Sequence, residues 1–297
     1  MLTFFSTPKP FEGHIEVIQR NALRSWQQVH PDAEILLFGE DAGAAEVCRE
    51  LGIRHVPEVR RNAHGTKYLA SIYDQAQELA RHDMVCHVNC DIVLLEDFRV
   101  ALERVAAREE KFLMSGRRWD VEIAEAIPFG GKDWTGQVRE LARRTNRQRP
   151  ANWIDYFAFR KGLFHGQIPK FVIGRPGWDN WLLWFARESG AAVVDASPVV
   201  CAVHQNHDYG YHPEGEKGVW EGEEAQGNYK LLEGHKKFRT LENATHVLRE
   251  DGLHRNYRHW LVQGKRGASE FLWPAWFRVL DVTRPLRHRV GLRSSKP

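Results

Sequence analysis

Short apolar runs alternate with helical patterns through the first 110 residues, and this alternation restricts the chain to a small set of folds. Residues 2–5 and 34–38 are short, mostly apolar runs that predict strands, and a further strand is predicted around residues 53–56. Between the first two runs, apolar residues recur at spacings of three and four, which indicates an amphipathic helix: Ile15, Ile18, Ala22, Trp26 and Val29. The alternation predicts an α/β fold with a mostly parallel sheet flanked by helices. In such sheets, ligands bind beyond the carboxyl ends of the strands.

The alternation continues with further helices and one long strand. Helices are predicted over residues 41–51, with Asp41 as N-cap, and over residues 66–81. A strand is predicted over residues 84–95, followed by a helix that begins at Asp97. The pattern is less regular after residue 111. The later segment 204–234 is rich in glycine, aromatic and acidic residues, which is typical of an ordered active-site loop.

The predicted strand 84–95 carries polar side chains, which cost free energy in a buried strand unless they find partners. Side chains two residues apart on a strand point to the same side, so His87, Asn89 and Asp91 would share a face. Oxygen ligands where a strand ends suit Mg²⁺ or Mn²⁺, and either ion binds a diphosphate. The spacing alone also leaves a second interpretation open, in which Asp91 only caps a turn.

Two possible zinc sites are disfavoured, one by strand geometry and one by its sequence pattern. Cys86 and Cys90 would lie roughly 13 Å apart on a strand, at about 3.3 Å per residue, which excludes a shared ion. His204, His207 and His212 lie close together in sequence but lack both supporting cysteines and a helical His-Glu-x-x-His pattern. They are therefore a weak signal for zinc.

Composition excludes several classes of function. A formal charge of +3 over 297 residues is too small to indicate nucleic-acid binding. The first residues lack a basic segment followed by an apolar one, and no stretch reaches the roughly 18–20 apolar residues of a membrane span. The four cysteines do not form the dense framework of a small secreted domain. We therefore expect a cytoplasmic location and no nucleic-acid partner.

Four segments occur in an order that resembles the GT-A class of nucleotide-sugar glycosyltransferases. They read NAHGTKYL (residues 62–69), VNCDIVL (88–94), GRPGWDNWL (174–182) and HQNHDYGYHPEG (204–215). The similarity is closest to family-2-like members, and the Asp-x-Asp signature of the class reads Asn-x-Asp here. The resemblance covers roughly residues 2–246. Each segment alone is a modest signal, and the four in this order are more specific.

The resemblance implies a Rossmann-like GT-A catalytic domain over residues 1–246. Residues 1–110 would be its nucleotide-binding half and residues 111–246 its acceptor half. Residues 247–297 would form a C-terminal helical or loop extension with a basic tail. The aromatic and basic residues of that tail leave two interpretations open: peripheral contact with an anionic membrane surface at the inner face of the membrane, or a terminal helix packed on its own domain.

The resemblance also implies a metal site. Asp91 and His204 would hold Mn²⁺ or Mg²⁺ on the diphosphate of the donor, and Asn89 stands where the class usually has its first carboxylate. An amide carbonyl is a neutral ligand, so this substitution lowers the negative charge of the site and leaves the strength of metal dependence open. A contact from Asn89 to a phosphate or a ribose fits its position equally well.

Asp179 stands where the resemblance places the general base of an inverting transfer. An acceptor hydroxyl must lose its proton as it attacks the anomeric carbon, and a carboxylate within hydrogen-bond reach can accept that proton. Asp179 also stands at the start of a helical pattern, so a role as N-cap remains open. A capping residue would affect stability before activity.

Further candidates surround these positions. Thr7 and Lys9 follow the first strand, and three residues lead into a predicted helix whose backbone N–H groups would favour phosphate: Gly65, Thr66 and Lys67. We interpret these five as a candidate nucleotide pocket. Five more residues are candidate contacts for the sugar or the acceptor: Trp119, Asp120, Asp155, Trp178 and His207.

The sequence thus predicts an enzyme, a hexosyltransferase-type glycosyltransferase that moves a sugar from a nucleoside-diphosphate sugar to an acceptor hydroxyl. Inversion and a divalent metal are expected, and a UDP-sugar is favoured because such enzymes use uridine nucleotides most often. The acceptor would be a glycan, a lipid-linked molecule or a small molecule. Two alternatives remain: a non-enzymatic carbohydrate-binding protein, and a sugar-nucleotide pyrophosphorylase, whose glycine-rich first loop is not matched by FFSTPKPF (residues 4–11).

Overall fold

The computed structural model describes residues 1–131, 133–208 and 215–257. The strands in these ranges are β1 (Leu2–Ser6), β2 (Glu34–Phe38), β3 (Arg54–Val56), β4 (Met84–Val88), β5 (Ile92–Val93), β6 (Phe112–Ser115), β7 (Arg118–Val121), β8 (Tyr156–Arg160), β9 (Ala192–Asp195), β10 (Ala202–Gln205), β11 (His246–Arg249) and β12 (Gly252–Arg255). The α-helices are α1 (Gly13–Val29), α2 (Ala44–Leu51), α3 (Leu69–Leu79), α4 (Glu96–Ala106), α5 (Trp134–Thr145), α6 (Trp178–Glu188), α7 (Gly215–Glu221) and α8 (Glu223–Leu231).

Nine strands form one sheet in the order β3-β2-β1-β4-β8-β6-β9-β11-β12. The pairs β3–β2, β2–β1, β1–β4, β6–β9 and β9–β11 are parallel. Strand β8 runs antiparallel to both of its neighbours, and β12 runs antiparallel to β11 at the edge. The prediction of an α/β fold with a mostly parallel sheet flanked by helices is confirmed.

Helices cover both faces of this sheet, and β1 shows why its strands read as continuous apolar runs. Phe4 packs on one face with Trp26 of α1 and Phe98 of α4. Phe5 packs on the other face with Tyr73 of α3 and with residues of α6. All five residues of β1 are buried, and the partly exposed polar residues Thr7 and Lys9 follow where the strand ends. The carboxyl edge of the sheet is therefore the place for a polar site.

The predicted strand 84–95 is wrong in its second half. The chain leaves the large sheet after Val88, and β5 instead joins a three-stranded sheet in the order β5-β10-β7. The backbone N–H of Ile92 donates to the carbonyl of Asn89, which closes a turn over residues 89–91. The indole N–H of Trp26 donates to the carbonyl of Ile92 at 2.9 Å and fixes this turn on α1. Asn89 and Asp91 therefore lie on a turn, and they do not share a strand face with His87.

The predicted start of the third helix is also wrong. Helix α3 begins at Leu69, whereas Arg61 and Lys67 form an isolated antiparallel bridge. The segment between them is a turn in which Asn62 Oδ1 accepts from the N–H groups of His64 and Thr66. Residues 65–67 consequently precede the helix, and their N–H groups do not form its phosphate-binding end. Helix α2 likewise begins at Ala44, so Asp41 is not its N-cap.

Two further predictions concern the C-terminal part of the chain. Strands β11 and β12 extend the nine-stranded sheet beyond residue 246, and the domain boundaries stay a prediction. The basic tail falls after residue 257, outside the described residues. Within the ranges that the structure describes, no helix combines the length and the apolar character needed to cross a bilayer.

Candidate active site

A cleft of about 1290 Å³ opens at the carboxyl ends of β1 and β4. Its lining includes nine of the residues singled out in the sequence as donor, metal or base candidates: Thr7, Lys9, Gly65, Thr66, Lys67, Asn89, Asp91, Asp179 and His204. Three of the candidate sugar or acceptor contacts line it as well: Asp155, Trp178 and His207. These twelve residues lie up to 200 positions apart in the sequence, with Thr7 and His207 at the extremes.

Strand pairing in the small sheet brings three of these side chains together. The register of β10 places His204 beside Ile92 of β5, and Asp91 directly precedes that residue. One ligand atom each from Asp91, His204 and His207 lies within 4.8 Å of the others. His207 Nε2 is 3.2 Å from Asp91 Oδ2, and His204 Nε2 is 3.9 Å from the same oxygen. We call these three residues the Asp-His cluster.

The Asp-His cluster has the donor set of a site for a divalent transition metal. Asp91 Oδ1 is buried and has no hydrogen-bond partner among the described residues, so one carboxylate oxygen remains for a ligand. Burial alone would raise the pKa of Asp91, but His204, His207 and Lys9 hold it well below its usual range. Burial lowers the pKa of His204, although Asp91 opposes the shift. An ionised carboxylate beside a neutral imidazole is the state that ligates a metal.

An ion-pair network lies beside the cluster and involves Asn89. Arg118 donates to Asp120 Oδ1 at 2.9 Å and to Asp155 Oδ2 at 2.8 Å. Asn89 Nδ2 donates to Asp155 Oδ1 at 2.6 Å. His204 Nδ1 lies 3.5 Å from Asp120 Oδ1. The amide of Asn89 is therefore held by Asp155 through its nitrogen, which leaves its oxygen as the atom available to a ligand.

Two of the predicted sugar or acceptor residues do not line the cleft. Trp119 packs against a small core cluster that includes Val121, because alternate residues of β7 face opposite sides. Asp120 lies behind Arg118 and binds its guanidinium. Direct contact of these two side chains with a sugar or an acceptor stays a prediction.

Asp179 lies in the first turn of α6, where Gly177 is the N-cap residue. The interpretation of Asp179 as N-cap is therefore wrong. Its Oδ1 is buried and has no hydrogen-bond partner among the described residues. Burial raises the pKa of Asp179 to about 7, and the charge of Asp155 adds to the shift, while nearby backbone N–H groups oppose it. A carboxyl group with this pKa exchanges a proton readily at neutral pH.

Lys67 and Asp41 form an ion pair, and both residues line the cleft. Lys67 Nζ also donates to Thr7 Oγ1 at 2.6 Å and to the carbonyl of Pro8 at 3.2 Å. Thr7 Oγ1 in turn donates to the carbonyl of Phe38 at the end of β2. Asp41 was missed in the sequence because it resembles a helix N-cap, and only the pairing of β1 with β2 brings it beside Lys67.

Aromatic side chains that the sequence did not single out form another wall. The rings of Trp153 and Trp220 lie 5.6 Å apart between centroids, and both line the cleft. The guanidinium of Arg149 lies 4.0 Å from the centroid of Trp153, and that of Arg118 lies 4.8 Å from it. Cations this close to an indole ring hold its orientation. Trp153 gave no signal in the sequence because it stands in an irregular segment.

His87 forms part of the floor of the cleft and is fully buried. Its ring packs against Phe5, Tyr73, Phe157 and Trp178, with centroids 5.3 to 6.1 Å away. Neither ring nitrogen has a hydrogen-bond partner among the described residues. Burial lowers the pKa of His87 to about 3, so the imidazole is neutral at pH 7.

We expect His87 to make the protein less stable in acid. Below about pH 6.5, the unfolded state binds a proton at this residue that the folded state does not bind until about pH 3. The free energy of unfolding should then fall by about 1.4 kcal/mol per pH unit from this group. Denaturant titrations between pH 5 and 7 give the free energy of unfolding of the wild type and of His87→Met at each pH. Its change per pH unit should be smaller in His87→Met. The exposed His165→Met is the matched control, and equal slopes for His87→Met and the wild type would contradict the expectation.

Comparisons with known proteins add the following findings. No protein-family model matches the chain, and no curated protein matches it. The similar solved structures include S. aureus TarS 1-349 in complex with UDP-GlcNAc, with 9% identity and a TM-score of 0.46 over 69% of this chain and 58% of that one. M. tuberculosis glucosyl-3-phosphoglycerate synthase shows 12% identity and a TM-score of 0.47 over 86% of this chain and 87% of that one.

A third similar structure is the mannosyltransferase PcManGT from Pyrobaculum calidifontis in complex with GDP-Man and Mn²⁺. It shows 15% identity and a TM-score of 0.43 over 71% of this chain and 58% of that one. This chain thus spans 58% of the length of the TarS and PcManGT structures.

Proposed function

We propose that this chain is a nucleotide-sugar glycosyltransferase that inverts the anomeric centre and uses a divalent metal. One observation carries the proposal: two kinds of group line the same cleft. The first is the Asp-His cluster, which is suited to a cation, and the second is the carboxyl group of Asp179, whose pKa is about 7. A transfer from a nucleoside-diphosphate sugar needs positive charge near the diphosphate and a base near the acceptor. The Asp-His cluster and Asp179 meet these two needs.

The donor side of the cleft extends from Lys67 to the Asp-His cluster. The Lys67–Asp41 pair and Thr7 offer hydrogen-bonding groups for a nucleoside. Lys9 and the Asp-His cluster follow along the same wall, where they would meet the diphosphate. Asn89 presents its amide oxygen beside them and would contact the ion, a phosphate or the ribose. A UDP-sugar is the donor that we favour.

The reaction would proceed at the anomeric carbon of the bound sugar. The carboxylate of Asp179 accepts the proton of an acceptor hydroxyl while the hydroxyl oxygen forms a bond to the anomeric carbon. The bond from that carbon to the diphosphate oxygen breaks on the opposite face, and the diphosphate leaves with the electron pair. A divalent ion held by Asp91, His204 and His207 would supply positive charge to the departing diphosphate.

The acceptor would bind beside Asp179 and the two tryptophan rings that line the cleft. Trp153 and Trp220 offer apolar ring surface, and the neighbouring Arg118 and Asp155 offer polar contacts. Aromatic rings next to a few polar groups are the usual lining of a small-ligand site. A glycan, a lipid-linked sugar and a small hydroxylated molecule all fit this description.

A thermal-shift screen tests the proposal. UDP, GDP, ADP and their sugar conjugates are added with and without Mn²⁺, and nucleosides without phosphate serve as the control. Binding at 100 times Kd stabilises by about 2.7 kcal/mol, so at least one diphosphate with Mn²⁺ should raise the Tm by about 5 °C. No stabilisation by any nucleoside diphosphate or nucleotide sugar would overturn the proposed function.

A further inference from the structure

Lys9 places its amino group against the Asp-His cluster. Its Nζ is 2.9 Å from His207 Nε2 and 3.8 Å from Asp91 Oδ2. These are two of the atoms that make up the candidate metal site. The cluster therefore already has a cationic side chain in contact with it.

The contact between Lys9 and His207 uses a specific lone pair. His207 Nδ1 lies 2.6 Å from the backbone carbonyl of Asp208, and a carbonyl oxygen can only accept a hydrogen bond. Nδ1 must therefore carry a proton, and Nε2 faces two partners: Lys9 Nζ at 2.9 Å, which donates, and Asp91 Oδ2 at 3.2 Å, which only accepts. In the neutral tautomer with Nδ1 protonated, Nε2 is the acceptor of the contact with Lys9. Lys9 donates to the same lone pair that a metal would use. One nitrogen lone pair cannot serve both partners at once.

The backbone of Lys9 is held in place by a side chain of α1. Gln19 of α1 accepts from the N–H of Lys9 at 2.7 Å and donates to its carbonyl at 2.9 Å. Gln19 is 2% exposed, and Pro8 and Pro10 flank Lys9 on the chain. The side chain of Lys9 lines the cleft and is 28% exposed. Because its backbone is held, the amino group can move away from the cluster only by rotation of the side chain.

We propose that Lys9 acts as a resident cation of the Asp-His cluster and competes with the divalent metal for His207 Nε2 and Asp91 Oδ2. A diphosphate in the cleft draws the amino group of Lys9 away and frees both atoms, so metal and diphosphate bind cooperatively. The part that concerns the diphosphate rests on the proposed function. The competition between Lys9 and the metal does not, because it involves only this chain and the ion.

Thermodynamic linkage sets how strongly the metal and the diphosphate affect each other's affinity. Two ligands that favour the same state of a protein strengthen each other's binding by equal factors, typically 5- to 150-fold. Removal of the competing amino group should therefore raise the affinity for the metal without nucleotide. It should also reduce the further gain that a nucleoside diphosphate brings.

Calorimetric titration with Mn²⁺, without nucleotide, tests the competition in Lys9→Met. We expect its Kd for Mn²⁺ to be at least about 10-fold lower than that of the wild type. Lys67→Met removes a nearby positive charge that does not contact the cluster. The increase in Mn²⁺ affinity should be smaller in Lys67→Met than in Lys9→Met. Lys170→Met removes an exposed lysine outside the cleft and should leave the Kd unchanged.

The outcomes separate the two proposals. An unchanged or higher Kd in Lys9→Met, a gain no larger than that of Lys67→Met, or no Mn²⁺ binding by either protein overturns the competition. If the competition holds but no nucleoside diphosphate binds in the thermal-shift screen, the proposed function fails by itself. A repeat of the titration with UDP then shows whether the cooperative gain is smaller in Lys9→Met than in the wild type, and an equal gain overturns the cooperative step.

Discussion

Asp91→Asn is expected to reduce sugar transfer by about 1000-fold and Mn²⁺ affinity by about 100-fold. The substitution keeps the shape of the side chain but removes the charge on which the Asp-His cluster depends. Asp91 supplies the carboxylate of the cluster, and this carboxylate also faces Lys9. Without it, positive charge from Lys9 would remain near the site with no carboxylate to offset it. Calorimetry with Mn²⁺ and a transfer assay with the donor found in the thermal-shift screen measure both effects.

A charge-matched variant makes this test specific. Asp83→Asn removes a carboxylate that pairs with Arg160 on the surface, so it changes the net charge equally. We expect it to keep both metal affinity and activity. Full metal affinity in Asp91→Asn, with circular dichroism showing an intact fold, would place the cation elsewhere and contradict the role assigned to the Asp-His cluster.

Asp179→Asn is expected to lower kcat by about 100- to 10,000-fold while the donor binds as before. An amide cannot accept the proton of the acceptor hydroxyl, but it fills the same space. The pKa of about 7 adds a signature, because only the ionised carboxylate acts as a base. In the wild type, kcat/KM should therefore rise with pH through about 7, and Asp179→Asn should lose this rise.

Stability separates catalysis by Asp179 from a structural role. The folded-state pKa of Asp179 lies above its unfolded value, so the stability linked to its protonation is present in acid and lost as the pH rises through about 7. Asn resembles the protonated form, and Asp179→Asn should melt at the same temperature as the wild type or higher at pH 8. Asp133→Ala is the comparison, because Asp133 is the N-cap of α5 and accepts from Gly136 N. It should lose about 1 kcal/mol of stability and keep its activity.

A different result for Asp179→Asn would contradict a catalytic role of Asp179. If Asp179→Asn unfolded as easily as Asp133→Ala and transferred sugar at the wild-type rate, Asp179 would be a structural residue. A carbohydrate-binding protein without activity would show a third result, in which the wild type binds a sugar and no transfer is detected with any donor.

The α/β fold was predictable because its signal is local. The apolar runs and helical spacings of the first 110 residues are read within windows of a few residues, and the sheet they predict is present. The break after Val88 was not predictable in the same way. Residues 92–95 continue the apolar run, and the turn before them depends on the N–H of Asn89, which donates to the carbonyl of Asp155, far away in the sequence.

The candidate site was predictable in its components and not in its connections. Asp91 and His204 were expected together, and the structure brings them together with His207, which was expected to contact sugar. The sequence signal for His207 was its spacing from His204, which was interpreted as a weak sign of zinc. The contacts of Lys9 with Gln19 and with His207 join residues up to 198 positions apart, and no local pattern contains them.

The reversed direction of β8 has a consequence for where this architecture can vary. Because β8 runs antiparallel to β4, it begins at the edge where β4 ends, so the segment leading into it arrives at the cleft. That segment carries Arg149, Trp153 and Asp155. Its irregular part holds no position in the nine-stranded sheet, so insertions there do not interrupt the pairing of that sheet. Under the proposed function, changes at the cleft-lining Asn152 and Trp153 would alter acceptor preference without altering the donor side.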